Sequence, residues 1–266
     1  MNLIVTTGQK AGQELIQRAR EIAKALGARF VLRNATSIEG MKTDFQTDVV
    51  LVVTKQRLVA HTREGELFFH LNMAQLRIQN IIRGQIDHMI EAMQLRKGMS
   101  VLDCTLGMGT DAIVASYIVG KEGRVVGVEH TLLTAFIVQT GLRDFPVENK
   151  QVKQALERIE VIQTDYNQYL RSLPGKSFDV VYFDPMFRHP IKSSASLQPL
   201  RALADHRAIA DEAIQEAKRV ARHCIVVKEN RQSNEFRRLM IENIVGGKYS
   251  SVNYGVIRVG DDKSNR

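Results

Sequence analysis

Apolar and polar positions along the chain fall into two textures. Up to about residue 70 they describe a small mixed unit. Residues 3–6 form an apolar run read as a strand, and 14–26 place Leu15, Ile16, Ala19, Ile22, Ala23 and Leu26 at helical spacing, with Gly27 closing the helix. The β-branched run at 48–53 predicts a buried strand, and 58–61 with 66–70 predict a hairpin around Glu64-Gly65. From Asn72 the period turns helical through Met73, Leu76, Ile81 and Ile82, stopping at Arg83-Gly84. A second helix over 85–95 carries Ile86, Met89, Ile90 and Met93, and Gly98 punctuates its end.

Beyond Gly98 strands and helices alternate. Strands are predicted at 101–104, 124–128, 159–163, 179–183 and 224–228, with helical stretches near 111–119, 132–142, 166–172 and 204–222. That alternation predicts an α/β fold, a doubly wound parallel sheet with helices on both faces. Residues 249–259 read as a strand or hairpin, antiparallel at the edge. The expected organisation is an N-terminal α/β accessory unit over 1–70, a helical bridge over 71–98 and the main domain over 99–266.

Composition adds exclusions. With 44% hydrophobic and 25% charged residues, the chain has the make-up of a globular protein with a full core. No apolar run approaches the roughly 18–20 residues of a membrane span, and the three-residue apolar stretch Leu3, Ile4, Val5 is too short for a secretory signal. Two cysteines, Cys104 and Cys224, make no disulfide framework, so a reducing, cytoplasmic setting is expected. The net charge of +8 leans towards a polyanionic partner, with the excess denser at the N-terminal end: residues 1–98 hold 14 Lys and Arg against 9 Asp and Glu, the remainder 23 against 20.

The candidate chemistry lies at the carboxyl ends of the predicted parallel strands, where open α/β sheets bind ligands. The first strand runs into Asp103-Cys104-Thr105-Leu106-Gly107-Met108-Gly109-Thr110-Asp111, whose Gly107 and Gly109 let the backbone turn sharply against a ligand. A bare strand-to-helix turn would use the same glycines. Glu129 ends the second strand, 20 residues after Gly109, the spacing of a carboxylate that accepts both hydroxyls of a ribose. Asp165-Tyr166, after the third strand, could bond and flank an adenine. The fourth strand ends in Asp184-Pro185-Met186-Phe187. An acid, a proline and an aromatic at this spacing suit methylation of a planar amino nitrogen. Phe187 can stack on a base, while Asp184 and a backbone carbonyl accept the amino hydrogens and aim the lone pair.

In this order, these features resemble the class I S-adenosylmethionine-dependent methyltransferases. From about 103 to 228 the chain is similar to the bacterial RsmJ-type family of small-subunit ribosomal RNA guanine-N2 methyltransferases, through Asp103, Gly107, Gly109 and Asp111, then Asp184-Pro185-Met186-Phe187 with His189, then Lys192-Ser193 and the Val226-Val227-Lys228 strand. The resemblance implies a Rossmann-like class I domain and S-adenosyl-L-methionine (SAM) as cofactor, with cofactor roles for Asp103, Gly107, Gly109, Thr110, Asp111, Glu129, His130, Asp165, Tyr166 and Asp184. It implies catalysis by Asp184, Pro185 and Phe187, and RNA as partner, either small-subunit rRNA or the subunit particle. The chain differs where the family commonly carries arginine, at Thr110 and His130, and proline, at Arg188.

Further residues carry two readings each. Arg188, His189 and Lys192 could hold phosphates beside the target nucleotide, or belong to a solvated loop. Lys228 reads equally as a substrate-phosphate contact and as a surface snorkel. Arg77 and Arg83, six apart and off one stripe, are expected to be solvated helix residues. Gly8-Gln9-Lys10 lacks P-loop spacing, Cys104 is expected to pack, and the histidines show no metal-binding arrangement, so no metal site is predicted. The competing functions are methylation of protein, DNA or a small amine, and a non-catalytic nucleic-acid-binding protein that keeps the fold.

Overall fold

The computed structural model describes residues 2–185, 198–204, 207–248 and 250–259. Two compact units emerge. The first takes in Met1–His70, Leu132–Pro146 and Ser193–Leu203, and the second takes in Leu71–Thr131, Val147–Lys192 and Ala204–Arg266.

The first unit is built on a five-stranded sheet of order β2-β1-β3-β4-β5, from β1 (Leu3–Thr7), β2 (Arg29–Phe30), β3 (Val49–Val53), β4 (Leu58–His61) and β5 (Glu66–Leu67). β1 runs parallel to β2 and β3, while β3, β4 and β5 form an antiparallel meander. All five residues of β1 and of β3 are buried, which is why these apolar runs show no alternation. Helix α1 (Gln13–Ala25) buries Ala19, Ile22 and Ala23 and ends at Gly27, whose φ of 60° is the left-handed stop the sequence signalled. Helix α2 (Ile38–Asp44), which the periodicity did not single out, starts at Ser37, whose hydroxyl caps the Gly40 N–H. Its Met41 packs with Ile4, Val50 and Val52.

In the second unit, α3 (Asn72–Ile82) and α4 (His88–Met93) lead into a seven-stranded sheet of order β11-β12-β10-β9-β6-β7-β8. Its strands are β6 (Ser100–Asp103), β7 (Arg124–Glu129), β8 (Ile159–Gln163), β9 (Phe178–Phe183), β10 (Ala221–Asn230), β11 (Asn243–Val245) and β12 (Val252–Arg258). β8, β7, β6, β9 and β10 are parallel; β12 pairs antiparallel with both β10 and β11. The expected parallel sheet with an antiparallel edge is therefore present, in a Rossmann-like order. The order reverses between β6 and β9, and the crevice at their carboxyl ends is where such sheets take ligands.

Helix α5 (Thr110–Val119) follows β6 and is buried along almost all of its length. α6 (Leu132–Asp144), following β7, belongs to the first unit, where Gly141 meets the Phe69 ring so closely that an added Cβ would lie 2.1 Å from its Cγ. Helix α7 (Lys150–Glu157), also unpredicted, is capped by Asn149 and buries Val152, Ala155 and Leu156. α8 (Tyr166–Ser172) lies where expected. The helical stretch expected over 204–222 is shorter: after α9 (Gln198–Leu203), α10 spans Asp211–Val220, because Ala210 is extended (φ −70°, ψ 150°) and starts a new helix. A short α11 (Glu235–Arg238) precedes β11. Cys104 and Cys224 are free and buried, and burial pushes the Cys224 thiol up to about 11. Among the described residues no helix is long and apolar enough to cross a membrane.

Candidate active site

β6 delivers Asp103 to the switch point, and the loop behind it closes on itself. Asp103 is 2% exposed and accepts the Thr105 N–H at 3.0 Å; burial pushes its carboxyl well above the carboxylate range. Gly107 (φ 51°) and Gly109 (φ 76°) both take left-handed backbone, and Gly109 starts α5. Leu106 is buried against Gly127 of β7, where a Cβ would lie 2.4 Å from Leu106 Cδ1. The loop is thus seated on the neighbouring strand through a missing side chain.

Glu129, the last residue of β7, tethers the loop. Its Oε2 accepts the Gly107 N–H at 3.1 Å and its Oε1 accepts the Thr131 N–H at 2.8 Å. Burial raises its carboxyl, against the two N–H donors. His130 is exposed, and its carbonyl accepts from Gln163 Nε2 at 2.9 Å. Asp165 caps α8, accepting Asn167 N–H at 2.7 Å; Arg207 Nη2 reaches its other oxygen at 2.6 Å. Burial alone would raise this carboxyl, but Arg207 and the Asn167 donors hold it below its usual range. Tyr166 packs edge-on against Phe183, with centroids 5.6 Å apart.

A chain of charges runs behind this cradle. Asp87 caps α4 through the N–H groups of Met89 and Ile90 and takes both Nε (2.8 Å) and Nη2 (3.0 Å) of Arg77. The remaining arm of Arg77 bonds Asp111 in the first turn of α5. Asp111 also accepts the Tyr182 hydroxyl at 2.8 Å and the Lys228 ammonium at 2.9 Å, and the same ammonium lies 2.7 Å from Asp184 Oδ2. Burial opposes every charge here, yet Lys228 and Arg77 hold Asp111 well below the carboxylate range, and Asp111 and Asp184 hold Lys228 well above its usual value. Asp184 moves the other way. Burial, together with the Asp111 charge, pushes it up to about 6, with Lys228 opposing. The Asp184 N–H donates to Thr105 Oγ1, fastening the β9 turn to the glycine loop.

Asp103, Gly107, Gly109, Thr110, Asp111, Glu129, Asp184, Pro185 and Lys228 therefore all sit at the carboxyl ends of β6, β7, β9 and β10 or in the turns leaving them. Phe187, Arg188, His189 and Lys192 lie outside the described residues. Arg77 corrects its expected reading. It is not a solvated helix residue, since its side chain is 18% exposed and spans Asp87 and Asp111. Lys228 is not a surface snorkel; its side chain is 19% exposed and turned onto two carboxylates.

A family model described as "Putative SAM-dependent methyltransferase" matches residues 34–250 of this chain. The chain belongs to this family. The cofactor of this methyltransferase is S-adenosyl-L-methionine. It is 36% identical over 256 residues to the uncharacterized protein YpiP of Bacillus subtilis, covering 96% of this chain and 99% of that one. It is 28% identical over 183 residues to "Ribosomal RNA small subunit methyltransferase J" of Dechloromonas aromatica, covering 67% of this chain and 72% of the relative. The crystal structure of a SAM-dependent methyltransferase from Neisseria gonorrhoeae superposes with a TM-score of 0.69 at 17% identity over 99% of both chains, which is a likeness of fold.

The residues present fit this cofactor. Gly107 and Gly109 could let its nucleoside approach the backbone. Each Glu129 oxygen takes one N–H and keeps lone-pair capacity that a pair of ribose hydroxyls could use.

Proposed function

We propose that this methyltransferase acts on an exocyclic amino nitrogen, guanine N2, of small-subunit ribosomal RNA in the cytoplasm. The observation that carries the reading is the placement of Asp184-Pro185. They leave the carboxyl end of β9 at the switch point, fastened to the glycine loop through Thr105, with the Asp184 side chain still 28% exposed. The Dechloromonas relative's name and the net charge of +8 support an RNA partner.

When bound, SAM would supply an electrophilic methyl group for the amino nitrogen. Glu129 would hold the cofactor's ribose, Asp165 and Tyr166 would bracket its adenine, and Asp103, Thr110, Asp111 and His130 would complete the surroundings of the cofactor. An exocyclic amino group is a poor nucleophile because its lone pair is delocalised into the ring. Asp184 accepts one of its hydrogens and so favours the pyramidal nitrogen that transfer needs. Pro185 stiffens the turn, and its carbonyl accepts the second hydrogen. Phe187 stacks on the base, and Arg188, His189 and Lys192 hold neighbouring phosphates. After transfer the nitrogen carries a surplus proton, acidic enough to leave to water without a strong base. Positioning therefore supplies most of the rate.

The test is transfer of radiolabelled methyl from SAM to total RNA, and in parallel to total protein, from a strain lacking the gene. Label in small-subunit rRNA, recovered as N2-methylguanosine, is the expected result. Label in protein, or no label in RNA despite tight SAM binding, overturns the RNA assignment.

A further inference from the structure

Two carboxylates and one ammonium meet where α5, β9 and β10 converge. Lys228 Nζ stands 2.7 Å from Asp184 Oδ2 and 2.9 Å from Asp111 Oδ2. Both distances are those of charge-assisted hydrogen bonds. Lys228 is the first residue of β10 after the fully buried Cys224–Val227 stretch that is not itself buried, so its stem is guided by the strand and its head by the two anions. Asp111 is in turn fixed by Arg77 and Tyr182, and Arg77 by Asp87 at the cap of α4. The ammonium thus hangs from a frame reaching back through two helices, while the Asp184 side chain stays 28% exposed after the carboxyl end of β9.

We propose that Lys228 is a positioning residue for Asp184. It keeps that side chain anionic and pins one oxygen, so that the other is presented to the amino hydrogens of the acceptor, and Asp111 competes with Asp184 for the same ammonium. Among the described residues, Lys228 of β10 and Asp111 of α5 act on Asp184, Asp103 of β6, Tyr182 of β9 and Glu229 of β10 feel its charge, and Arg77 of α3 and Tyr254 of β12 face Asp111 and Lys228 behind it. Of these, Asp111 disfavours the Asp184 charge, the Asp184 charge in turn disfavours ionisation of Asp103 and Glu229, and Lys228 is the cation bonded to Asp184. An unionised Asp184 would offer a hydroxyl in place of one acceptor and could not hold the amino group in the same way.

A frame of this kind makes opposite forecasts for its two ends. Removing the ammonium raises the pH at which Asp184 loses its proton, whereas removing the rival anion lowers it. A side chain that served packing alone would move neither. The catalytic half of the proposal rests on Asp184 being the amino-group acceptor; the electrostatic half does not, which separates their failures.

The experiment follows the carboxyl carbon of Asp184 by NMR in protein labelled at aspartate carboxyls, assigned by loss of the signal in D184N, across pH 4–9 and without substrate. Lys228→Met should raise its midpoint by about 1–3 pH units, Asp111→Asn should lower it, and Lys228→Arg should leave it near the wild-type value. In methyl transfer, Lys228→Met should lower kcat about 10–100-fold, with the acidic limb of the rate profile moved to higher pH and SAM affinity by calorimetry unchanged. A midpoint unmoved in Lys228→Met overturns the proposal. If that variant does not fold, a midpoint that rises or stays put in Asp111→Asn overturns it. Midpoints that shift as forecast in Lys228→Met and Asp111→Asn, with a wild-type protein that methylates no amino group, would refute the acceptor reading and leave the ammonium's hold on Asp184 standing.

Discussion

Arg77→Met should destabilise the second unit by about 3 kcal/mol. Arg77 makes a two-armed bond to Asp87 and a third bond to Asp111, with 18% of its side chain exposed against 11% for Asp87 and 7% for Asp111. Removing one partner of a buried ion pair costs about 3–5 kcal/mol, because the other is left charged and dry. The lower end applies here. Asp111 keeps Lys228 and Tyr182, and Asp87 keeps the N–H groups of Met89 and Ile90. For a unit of this size that is about 6–12 °C in Tm. The assay is thermal unfolding by circular dichroism at pH 7.5 for wild type, Arg77→Met, Arg77→Lys and the Arg77→Met/Asp111→Asn pair. The double variant should recover part of the loss, since it removes one of the orphaned charges. Arg77→Lys should not match wild type, because an ammonium cannot reproduce the planar fork. Asp111 is held below the usual carboxylate range, so its contribution is full above the unfolded value of about 3.9 and is lost as pH falls towards the folded one. The gap between wild type and Arg77→Met should therefore narrow in acid. A loss under about 1 kcal/mol at pH 7.5, or a gap that widens in acid, would refute the reasoning.

Asp184→Ala should cut methyl transfer by at least about 100-fold while SAM binding by calorimetry is kept, if, as proposed, its carboxylate meets the acceptor and not the ribose. Glu129→Ala should weaken SAM binding at least about tenfold and leave RNA affinity in a filter assay unchanged; equal loss of both would point to a collapsed loop. Gly127→Ala drives a Cβ to 2.4 Å from Leu106 Cδ1, so it should cost about 1–3 kcal/mol in urea unfolding and weaken SAM binding as the loop shifts. A variant as stable as wild type would show that Leu106 has room to move.

The sheet of the second unit was legible because its central strands β6, β7, β9 and β10 hold buried apolar stretches; the edge strand β8 is buried only at Ile159, yet 159–163 and 166–172 still correspond to β8 and α8. α7 was missed although its signal is present. Asn149 stands at the cap and Val152, Ala155 and Leu156 mark the buried face, but eight residues make a weak period. The stretch before α10 looked helical because nothing in composition marks the extended Ala210. At the site, the glycines and the Asp184-Pro185 turn are local motifs and could be seen directly. Arg77 could not, since its partners lie 10 and 34 residues away, beyond any helical spacing. The clue was on the other side of the pair: Asp111 stands at the head of the apolar stretch 112–115 of a buried helix, and a charge on such a helix needs a partner.

The membership of α6 and α9 in the first unit bears on how the protein is made. Residues 1–70 leave the ribosome first, but the helix that brings Gly141 against Phe69 comes some seventy residues later, and Pro199, which approaches Gly65, later still. Residues 71–131 and 147–192 of the second unit are synthesised between the pieces of the first. The first unit is completed only once α9 has been made, and until then the nascent sheet lacks helices that belong to it.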